Sequence, residues 1–173
     1  FFKVFAGEKA MLEPLKKKNL YAQAAEAAYA AMLEHIRKPA FYKDYGVPDT
    51  FDGRFELLVL HAFLVIERAG SEGQEFAQAL FDVLFADMDQ TLREIGIGDM
   101  GVPKHMRRMM KAFNGRMHAY HAGPLGTALG RNLYGTLPQG FIPVEKMAAY
   151  VLECREALKS AEPAAGRIAF KEP

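Results

Sequence analysis

The stretch Phe55-Glu-Leu-Leu-Val-Leu-His-Ala-Phe-Leu-Val-Ile66 decides the fold. At about 100° per residue, Phe55, Leu58, Val59, Ala62, Phe63 and Ile66 share one helical face, while Leu57, Leu60, Leu64 and Val65 cover the opposite one. A helix apolar all round belongs in the middle of a bundle, with other helices on every side. Working outward, the same 3.6-residue period returns in nearly every long segment, and no two-residue alternation marks a strand. An alanine-rich helix is expected over Tyr21 to Arg37, stopped before Pro39, with Phe41, Tyr42 and Tyr45 in the loop that follows. Gly46-Val-Pro-Asp-Thr50 reads as the turn that starts the apolar helix. Ser71-Glu-Gly-Gln74 reads as a capping box for a helix running to about Ile95, with Gly96 just past its end. Pro103 suits the first turn of a helix reaching His121, and Gly123-Pro124 stops it. A shorter helix over Leu125 to Tyr134 follows. Pro143 opens the last helix, with Val144, Met147, Val151, Cys154 and Leu158 along one side. The expectation is an all-α fold of six or seven helices in a single domain spanning 1–173. Residues 1–20 form a peripheral N-terminal segment and 161–173 an irregular tail.

Composition agrees with a packed body. Half of the 173 residues are apolar and a quarter charged, which excludes wholesale disorder. The longest apolar run, Leu57 to Ile66, is half the roughly 20 residues needed to cross a bilayer, and it contains His61. Phe1 to Phe5 followed by Lys16-Lys-Lys18 reverses the charge order of a secretory signal and reads as a short packed segment, with a frayed membrane-touching end as the alternative. The single cysteine, Cys154, excludes an internal disulfide and a Cys-based zinc site. With 22 basic and 21 acidic residues the net charge is +1, so no global field selects nucleic acid or membrane.

Charge is nevertheless segregated along the chain. Residues 72–99 hold seven acids and one base, whereas 101–121 hold five bases and no acid. On the acidic helix, Asp82 and Asp89 flank one side of the apolar face and Asp87 and Glu94 the other. Di-iron bundles use inward carboxylates together with Glu-x-x-His motifs, and none is present, so a solvated border with an Asp89–Arg93 pair is the simpler reading. His118 and His121 stand three apart on a helix but lack a third ligand, and His61 reads as a hydrogen-bonded core residue. No phosphate loop, dinucleotide fingerprint or nucleophile motif occurs, and no catalytic residue or cofactor is assigned. A metal-binding bundle enzyme using Asp82 and Asp89, or His118 and His121, stays as an alternative.

The segment Val102 to His121 carries the most information. With Met106 at zero, Met109, Met110, Phe113, Met117 and Tyr120 fall within about 60° either side, and Lys104, Arg107, Arg108 and Lys111 occupy the opposite arc. Three uses compete. The stripe packs into the core beneath a solvated basic face; the basic arc meets RNA or anionic headgroups; or exposed methionines offer an adaptable surface to apolar helices.

Two stretches resemble a known family. One runs Tyr45-Gly-Val-Pro-Asp-Thr-Phe-Asp-Gly-Arg-Phe-Glu-Leu-Leu-Val-Leu-His-Ala-Phe-Leu64. The other is the Asp-Met-Asp, Gly-Asp and Val-Pro-Lys run within Ala79 to Lys104, continuing through Met110-Lys-Ala-Phe-Asn-Gly-Arg116. Together they are similar to the ubiquinol–cytochrome c chaperone family in its compact bacterial form, over roughly residues 35–160. The resemblance implies a non-enzymatic assembly factor for respiratory complex III, with newly synthesised cytochrome b as client. Mitochondrial members act with a small partner subunit near the ribosomal tunnel exit; cytochrome b handling is the part that carries over, with ribosome contact and the partner subunit left open. The expected client-binding set is Lys104, Arg107, Arg108 and Lys111 with Met106, Met109 and Met110. The expected location is cytoplasmic and peripheral at the inner membrane, against anionic lipid. A ribosome-associated, RNA-binding module using the basic helix is the further alternative.

Overall fold

A computed structural model describes residues 21–70, 73–137 and 143–173. Among these, seven α-helices follow in order: α1 Ala22–Ile36, α2 Pro39–Lys43, α3 Phe51–Ala69, α4 Gln74–Glu94, α5 Val102–Ala122, α6 Leu125–Asn132 and α7 Val144–Ala157. Short 3₁₀ turns at Leu158–Ser160 and Pro163–Ala165 close the chain. The described residues contain no strand, only an isolated bridge between Glu162 and Arg167. No described helix is long and apolar enough to cross a membrane.

The apolar helix α3 takes the central place its composition requires. From Phe55 to Ile66 every residue is buried, and α1, α4, α5 and α7 all pack on it. Its start explains the quoted turn. Thr50 caps the helix, its hydroxyl accepting from the Gly53 amide at 3.1 Å. A Cβ at Gly53 would lie 2.1 Å from the Pro48 carbonyl oxygen, so only glycine lets the turn fold back this closely. Arg54 pairs with Asp49 across the same turn at 2.7 Å.

One expectation is corrected. Phe41 and Tyr42 lie on the one-turn helix α2 rather than in a loop, because Pro39 at the first helical positions fixes a helical φ. The tail holds a 3₁₀ turn at Pro163–Ala165 and no regular element from Ile168 onward, with Ile168 and Phe170 packed against the core. The helix expected to follow the capping box begins at Gln74, but Ser71 and Glu72 lie outside the described residues, as do the apolar and lysine clusters of the first twenty. The helix after Gly123-Pro124 ends at Asn132, two residues short of Tyr134.

A polar cluster joins three helices inside the core. His61 and His35 are buried, and both approach the Tyr150 hydroxyl, at 2.9 Å and 2.8 Å. His61 Nδ1 lies 2.8 Å from the Leu57 carbonyl oxygen, which can only accept, so Nδ1 carries the proton. His61 Nε2 therefore accepts from Tyr150, and the Tyr150 oxygen accepts from His35 Nε2–H. Burial pushes His61 down to about 3 and His35 down to about 4, so both rings are neutral near pH 7. Phe41 and Phe170 enclose the pair.

Candidate functional site: a groove beside the basic helix

Helix α5 presents three different faces. The inner face is the methionine and aromatic stripe: Met106, Met109, Phe113, Met117 and Tyr120 are buried, with Phe113 edge-on to Phe81 and Phe85 of α4. Met106 and Met109 are 4% and 6% exposed and Met110 is half-buried, so the surface grip expected of these methionines is not offered by the first two. They fill core space, as a 3.6-residue stripe on a packed helix does. The outer face carries Lys104, Arg107 and Lys111, all exposed. Arg108, expected with them, is exposed but turns toward a third face.

That third face borders a groove of about 590 Å³. Its walls come from the start of α3, the end of α4 with the following loop, one flank of α5, and the chain around Arg131 to Thr136. His105, Arg108, Ala112 and Arg116 supply the α5 side at helical spacing. Phe51, 39% exposed, and Ile95, 58% exposed, supply apolar surface opposite. Met100, in the loop between α4 and α5, is 97% exposed. Gly96, with φ +87, makes the turn that leaves α4 and releases this loop.

A nearly enclosed ion pair holds the groove together. Arg116 Nε lies 2.7 Å from Glu56 Oε2, and Arg116 Nη2 lies 2.5 Å from Oε1, a bidentate fork joining α5 to α3. Glu56 sits among the buried apolar residues of α3, and burial pushes its carboxyl up while the guanidinium pulls it back. The same carboxylate holds Arg116 above its ordinary range. Beside this pair, Tyr120 Oη and Asn132 Nδ2 are buried together, and the Asn132 amide is the polar neighbour of the Tyr120 hydroxyl. A second hollow of about 420 Å³ lies on the other side of Arg131 and Asn132, lined also by His118 and Thr127.

The remaining candidates are already engaged elsewhere. Asp89 pairs with Arg93 at 2.7 Å, the expected i,i+4 bridge, and Arg93 also reaches Asp99. Asp82 accepts from Gln78, and Asp87 accepts from the Tyr29 hydroxyl of α1 at 2.6 Å. No described group of three His, Cys, Asp or Glu could hold a metal ion. His118 and His121 are exposed on α5, and Cys154 is buried on α7.

The groove residues that sequence reasoning missed are Glu56, Arg116, Arg131, Asn132, Phe51 and Ile95. Two of them left a signal. A carboxylate inside an otherwise apolar run needs a buried partner, and Arg116 falls about 80° from Met106, on the flank of the core stripe rather than in the basic arc.

A helical body that closes its own core, exposes a groove with apolar and cationic walls, and keeps a separate basic face has the layout of a binding protein. The chain belongs to the ubiquinol–cytochrome C chaperone family, whose family model matches residues 43–167. It is 20% identical over 146 residues to ubiquinol-cytochrome c reductase complex assembly factor 1 of Drosophila melanogaster, covering 76% of this chain and 56% of that protein. It is 27% identical over 149 residues to Protein CBP3, mitochondrial, of Saccharomyces cerevisiae, covering 77% of this chain and 44% of that one. The crystal structure of the Cbp3 homolog from Brucella abortus is similar with a TM-score of 0.74 and 35% identity, covering 88% of this chain and 91% of that one. The chain thus spans about half the length of the fly and yeast relatives.

Proposed function

We propose that this protein is a non-enzymatic assembly chaperone for ubiquinol–cytochrome c reductase, holding newly made cytochrome b until it is built into the complex. One observation carries the reading: the two stretches that resemble the family meet in the groove. Phe51 and Glu56 come from the first, and Leu92, Ile95, Ile97 and Arg116 from the second, with the Glu56–Arg116 fork tying them together. The similarity to the fly ubiquinol-cytochrome c reductase complex assembly factor, over 76% of this chain, supports the complex III role.

The chemistry suits such a client. Transmembrane helices joined by charged loops offer apolar side chains for Phe51, Ile95 and Met100 and charge for the neighbouring cations. The outer face of Lys104, Arg107 and Lys111 is separate from the groove, and on this reading it meets anionic lipid at the inner membrane while the groove faces the client. Contact with the ribosome would use the same outer face.

A photo-crosslinking residue at Ile95 is expected to capture nascent cytochrome b, and one at Leu152, exposed on α7, is expected not to. Deleting the gene should remove assembled complex III and leave other respiratory complexes in place. Equal capture at both positions, or intact complex III without the gene, would refute the reading.

A further inference from the structure

The cations around the groove are not equivalent. Arg116 is neutralised by Glu56, whereas Arg108 and Arg131 form no ion pair or hydrogen bond with a described residue. Asp52 is the other acid on the lining, and its field falls on the Glu56–Arg116 pair. The groove lining therefore offers two guanidinium groups with no partner among the described residues, Arg108 from α5 and Arg131 from α6, together with the exposed apolar side chains of Phe51 and Ile95.

We propose that the groove seats an acidic, apolar-anchored peptide segment of the partner protein. Its carboxylate lies with Arg108 and Arg131, and its apolar side chain packs on Phe51 and Ile95. The inference rests on the groove being the client site and names the chemistry that site selects. Guanidinium groups donate to a carboxylate through a bidentate fork of N–H bonds. An apolar anchor beside a polar contact is the usual build of a recognition hot spot. Shape favours a peptide over a lipid headgroup. The groove is concave and roofless, while a bilayer surface meets convex cations, and those are Lys104, Arg107 and Lys111 on the outer face.

The test uses the full chain and a short fluorescein-labelled peptide of leucine and glutamate, beside its leucine–glutamine counterpart, read by fluorescence polarisation. The acidic peptide is expected to bind at least about tenfold tighter than the amide peptide. Arg108→Glu with Arg131→Glu should abolish that preference, and Lys104→Glu with Lys111→Glu should preserve it within about threefold. Arg108→Ala with Arg131→Ala serves as the milder pair, with circular dichroism confirming the fold of each variant. Equal affinity for both peptides, or equal losses from the two charge-reversal pairs, would overturn the proposal. So would phosphatidylglycerol vesicles binding through Arg108 and Arg131 rather than Lys104 and Lys111. The client reading fails separately: Ile95 crosslinks that persist in the Arg108→Glu, Arg131→Glu chain keep the groove as client site and sink only the acidic preference. Loss of crosslinks to cytochrome b in the unaltered chain sinks the client reading alone.

Discussion

Replacing Arg116 by methionine removes one half of the fork between α5 and α3 and leaves Glu56 facing the apolar side of the helix. The Glu56 side chain is 11% exposed and that of Arg116 26%. Breaking a fully buried pair costs about 3–5 kcal/mol; the partial exposure of the arginine and the open groove beside it reduce this to about 2–3 kcal/mol. In a chain of this length that corresponds to a fall in Tm of about 4–12 °C. The loss depends on pH with a definite sign. Without the guanidinium, burial raises the folded-state pKa of Glu56 further above its unfolded value, so the variant recovers stability as pH falls toward that unfolded value and loses it as pH rises. Arg116→Met should therefore be more damaging at about pH 7.5 than at about pH 5. Glu56→Leu combined with Arg116→Met replaces two charges by two apolar groups and should be more stable than Arg116→Met alone. Equilibrium urea unfolding followed by circular dichroism, on all four members of the cycle, measures the coupling. Single effects that add to within about 0.5 kcal/mol would refute the reasoning, because the fork would then carry no interaction energy.

Three further outcomes follow from the geometry. Gly53→Ala puts a methyl against the Pro48 carbonyl oxygen and should cost about 1–3 kcal/mol in thermal unfolding; a Tm equal to that of the parent chain would contradict the close approach. The core histidines are neutral when folded, with pKa values of about 4 for His35 and about 3 for His61, so the unfolded chain binds more protons below about pH 6.5. Stability should fall as pH drops from 6.5 toward 4, by up to about 1.4 kcal/mol per pH unit for each ring; urea midpoints that stay flat from pH 6.5 to 5 would show otherwise. Lys104→Glu with Lys111→Glu, both exposed, should leave stability within about 0.5 kcal/mol and weaken co-sedimentation with anionic vesicles, and unchanged sedimentation would remove the membrane role of the outer face.

The helical order was legible because periodicity is local. The stripe of Met106, Met109, Phe113 and Met117 repeats at the helical period, and that alone puts it in the core. The one-turn helix at Pro39–Lys43 escaped because five residues hold too few apolar positions to show a period. The groove was illegible for a different reason. Its walls come from four separated parts of the chain, and no window of sequence contains them together. A wheel drawn for α5 alone divides it into core and solvent, so Arg108 joined Lys104, Arg107 and Lys111; the neighbouring Ile95 loop and the start of α3 turn that solvent side into two surfaces. Glu56 and Arg116 were the available hint, each a charge on the wrong side of its helix.

The Tyr150 hydroxyl, set between His35 and His61, bears on a hazard that comes with handling membrane-spanning clients. Under the proposed role, the protein meets foreign helices as greasy as its own α3, and such a helix could slide into the bundle in place of α1 or α7. Leucine-rich surfaces alone would do little to reject it, since they accept many partners in many rotations. The shared hydroxyl changes that. It links α1, α3 and α7 through donors and acceptors already committed in direction, and an intruding apolar helix would strand them without partners. On the proposed role, the cluster would act as a password inside the core, selecting α1 and α7 over a foreign apolar helix held at the surface.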